Sequence, residues 1–204
     1  EHIQAAYVSY AYENKYATLN TGLRAEATEI AGDIQQQYLN LFPSFSIVHP
    51  LSKSSNLSFA LSSRITRPSY KSLNPFISFA DPLNLNAGNP ELKPEKAFLF
   101  ELTHTKDYAS ISISNTVFYR DISGLVGRVR TFLAGDTTLT RYENIAKSRA
   151  WGIENLSTWS ISKAYKVTLN TSLFQSDLEG FINNTNVSLN RWSWNSRLNQ
   201  QFKW

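Results

Sequence analysis

Leu57-Ser-Phe-Ala-Leu-Ser-Ser-Arg-Ile-Thr66 is the stretch whose reading decides the fold class. Leu57, Phe59, Leu61 and Ile65 alternate with Ser58, Ala60, Ser62 and Arg64. Successive side chains of a strand point to opposite faces, so a strand here has one greasy face and one polar face. The same alternation recurs along the chain. Ile111, Ile113, Val117 and Tyr119 alternate with Ser110, Ser112, Ser114, Thr116 and Arg120. Val167, Leu169 and Leu173 alternate with Lys166, Thr168, Asn170 and Ser172, and Trp192, Trp194, Leu198, Phe202 and Trp204 alternate with Arg191, Asn195, Arg197, Asn199, Gln201 and Lys203. The charges keep this phase: Arg24 and Glu26 oppose Leu19, Leu23 and Ala25, Glu101 opposes Phe98, Phe100 and Leu102, and Glu154 opposes Trp151, Ile153 and Trp159.

Alternation alone also suits a soluble sandwich, so run length and aromatic placement carry the next step. A bilayer-crossing strand needs about 9–11 residues, whereas globular strands average about 5–6. Most runs here reach the longer figure, and rings gather near their ends, with Tyr10, Tyr12 and Tyr16 at one turn and Trp159 and Tyr165 near another. Such belts suit a membrane–water interface. Strands are expected at about 2–13, 16–27, 43–51, 57–67, 96–106 and 108–122, one ending at the Lys163-Ala164 turn, one leaving it, and a last one after the 177–186 loop. Pro43 cannot donate to a ladder and is expected at a strand start. The connections alternate short and long, the pattern of periplasmic turns and extracellular loops. The reading is an all-β, antiparallel up-and-down transmembrane β-barrel segment of about ten strands, a single partial barrel domain over 1–204, with extracellular loops at about 28–42, 68–95, 123–141 and 177–187. Arginine placed at Leu169 should then harm assembly more than arginine at Thr168.

Composition narrows the function classes. The 204 residues carry a net charge of +4 with 18% charged and 42% hydrophobic residues, so neither disorder nor a basic nucleic-acid surface is indicated. Cysteine is absent, which removes disulfides, Cys-ligated metals and Cys nucleophiles together. No apolar run approaches the roughly 18 residues of a transmembrane helix. Methionine is absent even at position 1, so the sequence is expected to begin inside a longer or processed chain. His2, His49 and His104 are far apart, and no HExxH, phosphate loop or Gly-x-Ser-x-Gly elbow is present. No catalytic residue, cofactor site or metal site is expected.

Three motif blocks carry a resemblance. Ser63-Arg-Ile-Thr-Arg-Pro-Ser-Tyr70, Leu73-Asn-Pro-Phe76 and Gly88-Asn-Pro-Glu-Leu-Lys-Pro-Glu95, with Leu41-Phe-Pro-Ser44 upstream and Phe118-Tyr-Arg-Asp-Ile122, Tyr142-Glu-Asn-Ile-Ala-Lys147 and Trp151-Gly-Ile-Glu154 downstream, resemble the C-terminal half of TonB-dependent outer-membrane receptors. The likeness is narrowest to their outer membrane protein beta-barrel branch. It implies a bacterial outer-membrane location and a barrel of about 22 strands with a plugged lumen. The partners implied are membrane lipid, a plug domain and the remaining strands of the same chain, TonB acting through the plug, and a surface lipoprotein. Plug and last strands are expected to lie outside these residues. The implied function is import of a scarce nutrient such as a metal chelate, cobalamin or glycan.

Within the motif blocks, Arg64, Pro68, Asn74, Pro75, Gly88, Asn89, Pro90, Leu92, Pro94 and Glu95 are expected to shape the long loop. Gly88 is expected to supply a turn with positive φ, and Arg64, Arg67 and Glu95 to pair near the rim. Arg67, Tyr70, Lys71 and Asp81 are the candidates for ligand contact. Two alternatives differ in class: a small self-closed barrel acting as pore, adhesin or protease, and a soluble carbohydrate-binding β-sandwich with Trp151, Trp192 and Trp194 as stacking platforms.

Overall fold

The computed structural model describes residues 1–32, 34–182 and 185–203. Nine long strands form one antiparallel meander: β1 (His2–Glu13), β2 (Thr18–Ile30), β3 (Gln36–Ser52), β4 (Ser55–Thr66), β7 (Glu95–Asp107), β8 (Ile111–Phe132), β9 (Thr138–Ser160), β10 (Tyr165–Ile182) and β11 (Thr185–Phe202). The β4–β7 connection holds a one-turn helix, α1 (Tyr70–Leu73), and a small hairpin, β5 (Ser78–Asp81) and β6 (Asn84–Ala87). β6 then pairs in parallel with the start of β9. Nine strands form the wall, against about ten expected, and two short ones belong to the loop. The sheet is open, with β1 and β11 at its edges, and no helix is long and apolar enough to cross a membrane.

Register decides where the greasy faces go. Residues opposite each other in a ladder share a face, and one row runs Tyr12, Leu19, Ile47, Phe59, Leu102, Val117, Ile153, Leu173 and Trp194 across all nine wall strands. Every apolar phase read from the sequence therefore lands on the same side. That side is uncovered: Leu102, Val117, Ile153, Leu173 and Trp194 are 44–76% exposed. A soluble sandwich would bury this face under a second sheet, and the described residues contain none. An exposed apolar face of this extent is a lipid-facing one.

The polar edges of the band fix its height. On β7, Lys96 and Lys106 stand on the greasy face ten positions apart, with Phe98, Phe100, Leu102 and His104 between them. Ten residues at roughly 3.3 Å rise, inclined roughly 35–45°, cover about 25 Å, the height of an outer-membrane apolar band. The band also slants through the register. The row of Val8, Leu23 and Pro43 is apolar on β1–β3, while the level reached by Phe98 on β7 carries Asp121, Arg149 and Asp177 on β8–β10. Strands tilted in a barrel require this, because hydrogen-bonded rows then climb relative to the membrane plane.

Short connections gather at one end. Asn14 closes the first, its Oδ1 accepting from the Tyr16 and Ala17 amides at 2.8 and 2.9 Å. The rings expected as a belt lie at this end, where Tyr165 stacks on Phe202 at 4.5 Å and Lys15 sits over Tyr16. Trp204 lies outside the described residues, as do Asp33 and residues 183–184 of two expected loops.

Several boundaries differ from the expectation. β3 begins at Gln36, so Pro43 lies inside it. Pro43 instead marks where a ladder starts, since β3–β4 pairing begins one residue later at Ser44 with Ser62. Most of 28–42, 123–141 and the described part of 177–187 is paired strand rather than loop. β8 and β9 have 22 and 23 residues and run well past the apolar band. Beyond that band the faces meet the β4–β7 connection or water rather than lipid, with Val126 packed against that connection and Val129 buried. The period-2 signal of a lipid face therefore fades while backbone pairing persists. A register shift between Ser123 and Leu125, with Gly124 at φ 70°, marks the change just beyond Asp121.

Candidate functional site

The long β4–β7 connection folds back over the sheet at the end opposite the short turns. Its helix α1 starts at Ser69, whose hydroxyl accepts from the Ser72 amide at 3.3 Å. The two motif blocks then dock on each other. Gly88 N–H donates to the Asn74 carbonyl at 2.8 Å, and Asn89 N–H donates to the Ser72 carbonyl at 2.7 Å. A Cβ at Gly88 would meet Asn74 O, Asn74 N and Ser72 O at 2.5–2.7 Å. Gly88 is not among the positive-φ glycines, so its role is close backbone approach rather than the expected left-handed turn.

Leu73 and Leu92 pack with Ile34 into a small core, against Ile30, Val126 and Tyr142. The Gln36 side chain donates to the Pro90 and Leu92 carbonyls. Asn144 clamps the far side: its Oδ1 accepts from Lys93 N–H at 2.9 Å, and its Nδ2 donates to the Lys93 and Gly124 carbonyls at 2.9 and 2.7 Å. Pro94 is buried beside this clamp, and Glu95 Oε1 accepts from the Val126 amide at 2.8 Å. Asn89 Oδ1 caps the Glu91 amide and Asn74 Oδ1 the Phe76 amide, each at 3.0 Å, with Pro75 between them.

The expected rim pairing takes different partners. Arg67 pairs with Glu26 on the inner face of β2, with Glu1 3.8 Å away, and not with Glu95. Glu26 also binds Arg24 at 2.6 Å and is only 7% exposed. Burial works against the Arg67 charge, but Glu26 and the neighbouring Tyr38 hydroxyl outweigh it and hold the guanidinium above its ordinary value. Arg64 is exposed and makes no ion pair among the described residues, and Pro68 leads the chain from Arg67 into α1. Under the folded-back loop, Thr28 Oγ1 and Asn40 Nδ2 are buried with no hydrogen-bond partner among the described residues. Thr28 lies opposite Tyr38, and Glu26 opposite Asn40, in one inner-face cluster.

The four ligand candidates separate. Lys71 lines a cavity of ≈ 470 Å³ together with Asn74, Phe76, Asn86, Arg128 and Tyr142. Tyr70 is 65% exposed beside it. Arg67 is engaged by Glu26, and Asp81 holds its own turn, accepting from Leu83 and Asn84 amides and from the Asn84 side chain at 2.7–2.9 Å. These bonds, the Asn84 side chain first, hold the Asp81 carboxyl below its ordinary value. The cavity has two cations and no carboxylate in its lining, and Arg128 lies 5.9 Å over the Tyr142 ring. It suits an anionic or planar group. Arg128, Tyr142 and Asn144 were not singled out as site residues, because they meet the loop only across long sequence separations, Arg128 at Asn86, Tyr142 at the Leu73–Leu92 core and Asn144 at Lys93. No cluster of three potential metal ligands occurs among the described residues.

Solved structures share this wall. The siderophore receptor PirA from Pseudomonas aeruginosa matches at TM-score 0.69 and 16% identity, over 96% of this chain and 40% of that one. The FrpB iron transporter from Neisseria meningitidis matches at 0.60 and 14%, over 94% and 32%, and the copper transporter OprC at 0.63 and 12%, over 96% and 39%. At these identities the likeness shows the fold, and the chain spans 32–40% of the length of these three proteins. No curated protein sequence matches it. The resemblance to a receptor barrel segment is borne out in fold, and with it the bacterial outer-membrane location. The outer membrane protein beta-barrel model matches residues 1–204, and the chain belongs to that family.

Proposed function

We propose that this chain forms part of the barrel wall and the extracellular loops of a TonB-dependent receptor that imports a scarce nutrient. The observation that carries the reading is the cavity at the long-loop end, where Lys71 and Arg128 face a common space with Phe76 and Tyr142. A loop held inward by Asn144, Gln36 and Arg67 gives that cavity a fixed shape. The long-loop end is the extracellular end in this reading. The inner face supports a further element of it: its exposed charges mix both signs, Arg24, Arg64 and Arg120 with Glu154, which suits a wall packed against a polar plug. Similar proteins named as siderophore, iron and copper receptors or transporters point to metal-bearing nutrients as the first to test. Lys71, with Tyr70 beside it, is the ligand contact we favour among the four candidates; Arg67 and Asp81 are assigned to loop shape.

The test uses the full reading frame in its native outer membrane. Cells are offered radiolabelled iron as a ferric chelate, copper and cobalamin. Uptake of one of them should fall when the gene is deleted, when TonB is disabled, and when Lys71 and Arg128 are both changed to Glu with the barrel still folded. Uptake that persists without TonB, or passive conductance by the purified protein, would replace this reading with that of a pore.

A further inference from the structure

We propose that the outer face carries a docking groove for one anionic, phosphorylated lipid of the outer leaflet, where β3 and β4 splay apart. The two strands stop pairing above Ser44 and Ser62, yet β3 continues to Gln36 and β4 to Thr66. Beside this split lies a depression of ≈ 460 Å³ on the lipid-facing side. Small residues form its floor, Ser63 and Ser123, and large apolar ones its walls, Leu41, Phe98, Phe100 and Tyr119. The rings are packed in sequence, Phe98 to Phe100 at 5.5 Å and Phe100 to Tyr119 at 6.2 Å. An acyl chain fits such a trough better than a flat wall, because it meets carbon on three sides.

The rim supplies the headgroup chemistry. Lys96 and Asp121 stand at the upper edge of the apolar band. Asp121 is already matched by Lys147 at 3.3 Å and Arg149 at 3.7 Å. Lys96 is exposed and has no ion-pair partner among the described residues, so the groove's net rim charge is positive. A lysine at this level sits where a lipid phosphate lies when its acyl chain is in the trough.

The experiment is native mass spectrometry of the full-length protein, stripped in detergent and then offered phosphatidylglycerol or phosphatidylcholine with the same acyl chains. One phosphatidylglycerol should be retained in preference to phosphatidylcholine. Lys96→Gln should reduce that retention about fivefold, and Lys163→Gln, at a short turn, should leave it unchanged. Ser63→Phe, which fills the floor, should abolish retention while the barrel still shows heat-modifiable mobility on gels. If that variant does not fold, the Lys96 comparison decides alone. Equal retention of both lipids, full retention by Lys96→Gln, or displacement by inorganic phosphate alone would overturn the proposal.

Discussion

Gly88 and Asn74 meet backbone to backbone, the Gly88 N–H donating to the Asn74 carbonyl at 2.8 Å where a Cβ would come within 2.5 Å of the same oxygen. The contact joins two sequence motifs across the β5–β6 hairpin and so sets the position of everything between them. Gly88→Ala forces the two backbones apart and should destabilise the folded-back loop by about 1–3 kcal/mol. Limited proteolysis should cut the 74–88 segment faster while the heat-modifiable mobility of the barrel stays the same. An unchanged cleavage rate would show that the two segments do not depend on this approach.

Asn144 makes three hydrogen bonds to backbone groups of Lys93 and Gly124, and among the described residues no other side chain bridges these points. Asn144→Ala should cost about 0.5–1.5 kcal/mol of local stability, since water can replace the lost partner in this exposed site. Hydrogen exchange at the Lys93 amide should accelerate, with little change in the amides of β10. Acceleration spread evenly over the sheet would point to a global rather than a local role.

Asp81 gives a pH dependence. Its carboxyl is held low by Asn84 and by the Leu83 and Asn84 amides. A depressed folded pKa contributes stability that is present above the unfolded value of about 3.9 and is lost as pH falls through the lower folded value. The Leu83 and Asn84 amide resonances should therefore titrate with a midpoint below the ordinary carboxylate range, and Asp81→Asn should remove the transition. A midpoint at or above the ordinary value would contradict the assignment.

The parts legible in the sequence were those set by local periodicity. Leu57, Phe59 and Leu61 declare their face because only one side of β4 meets lipid, and Asn14 declares its turn because its own side chain closes it. β8 beyond Asp121 was read as loop because its faces there meet the β4–β7 connection or water rather than lipid, and a register shift breaks the alternation. Non-local geometry was hidden as well. Nothing near Arg67 in sequence points to Glu26, 41 residues away, and a glycine in a motif does not reveal whether it serves a turn or a close approach.

The most direct test of the membrane assignment compares two arginine substitutions on one strand. Leu173 stands on the outer face between Ile153 and Trp194, and Asn170 stands on the opposite face of β10. In the full-length protein, Leu173→Arg should cost about 2–4 kcal/mol of folding stability in bilayers, and Asn170→Arg should cost much less, read as the fraction reaching heat-modifiable form in a urea titration. Assembly blocked by Asn170→Arg and spared by Leu173→Arg would contradict the account, because the exposed apolar face would then line the lumen.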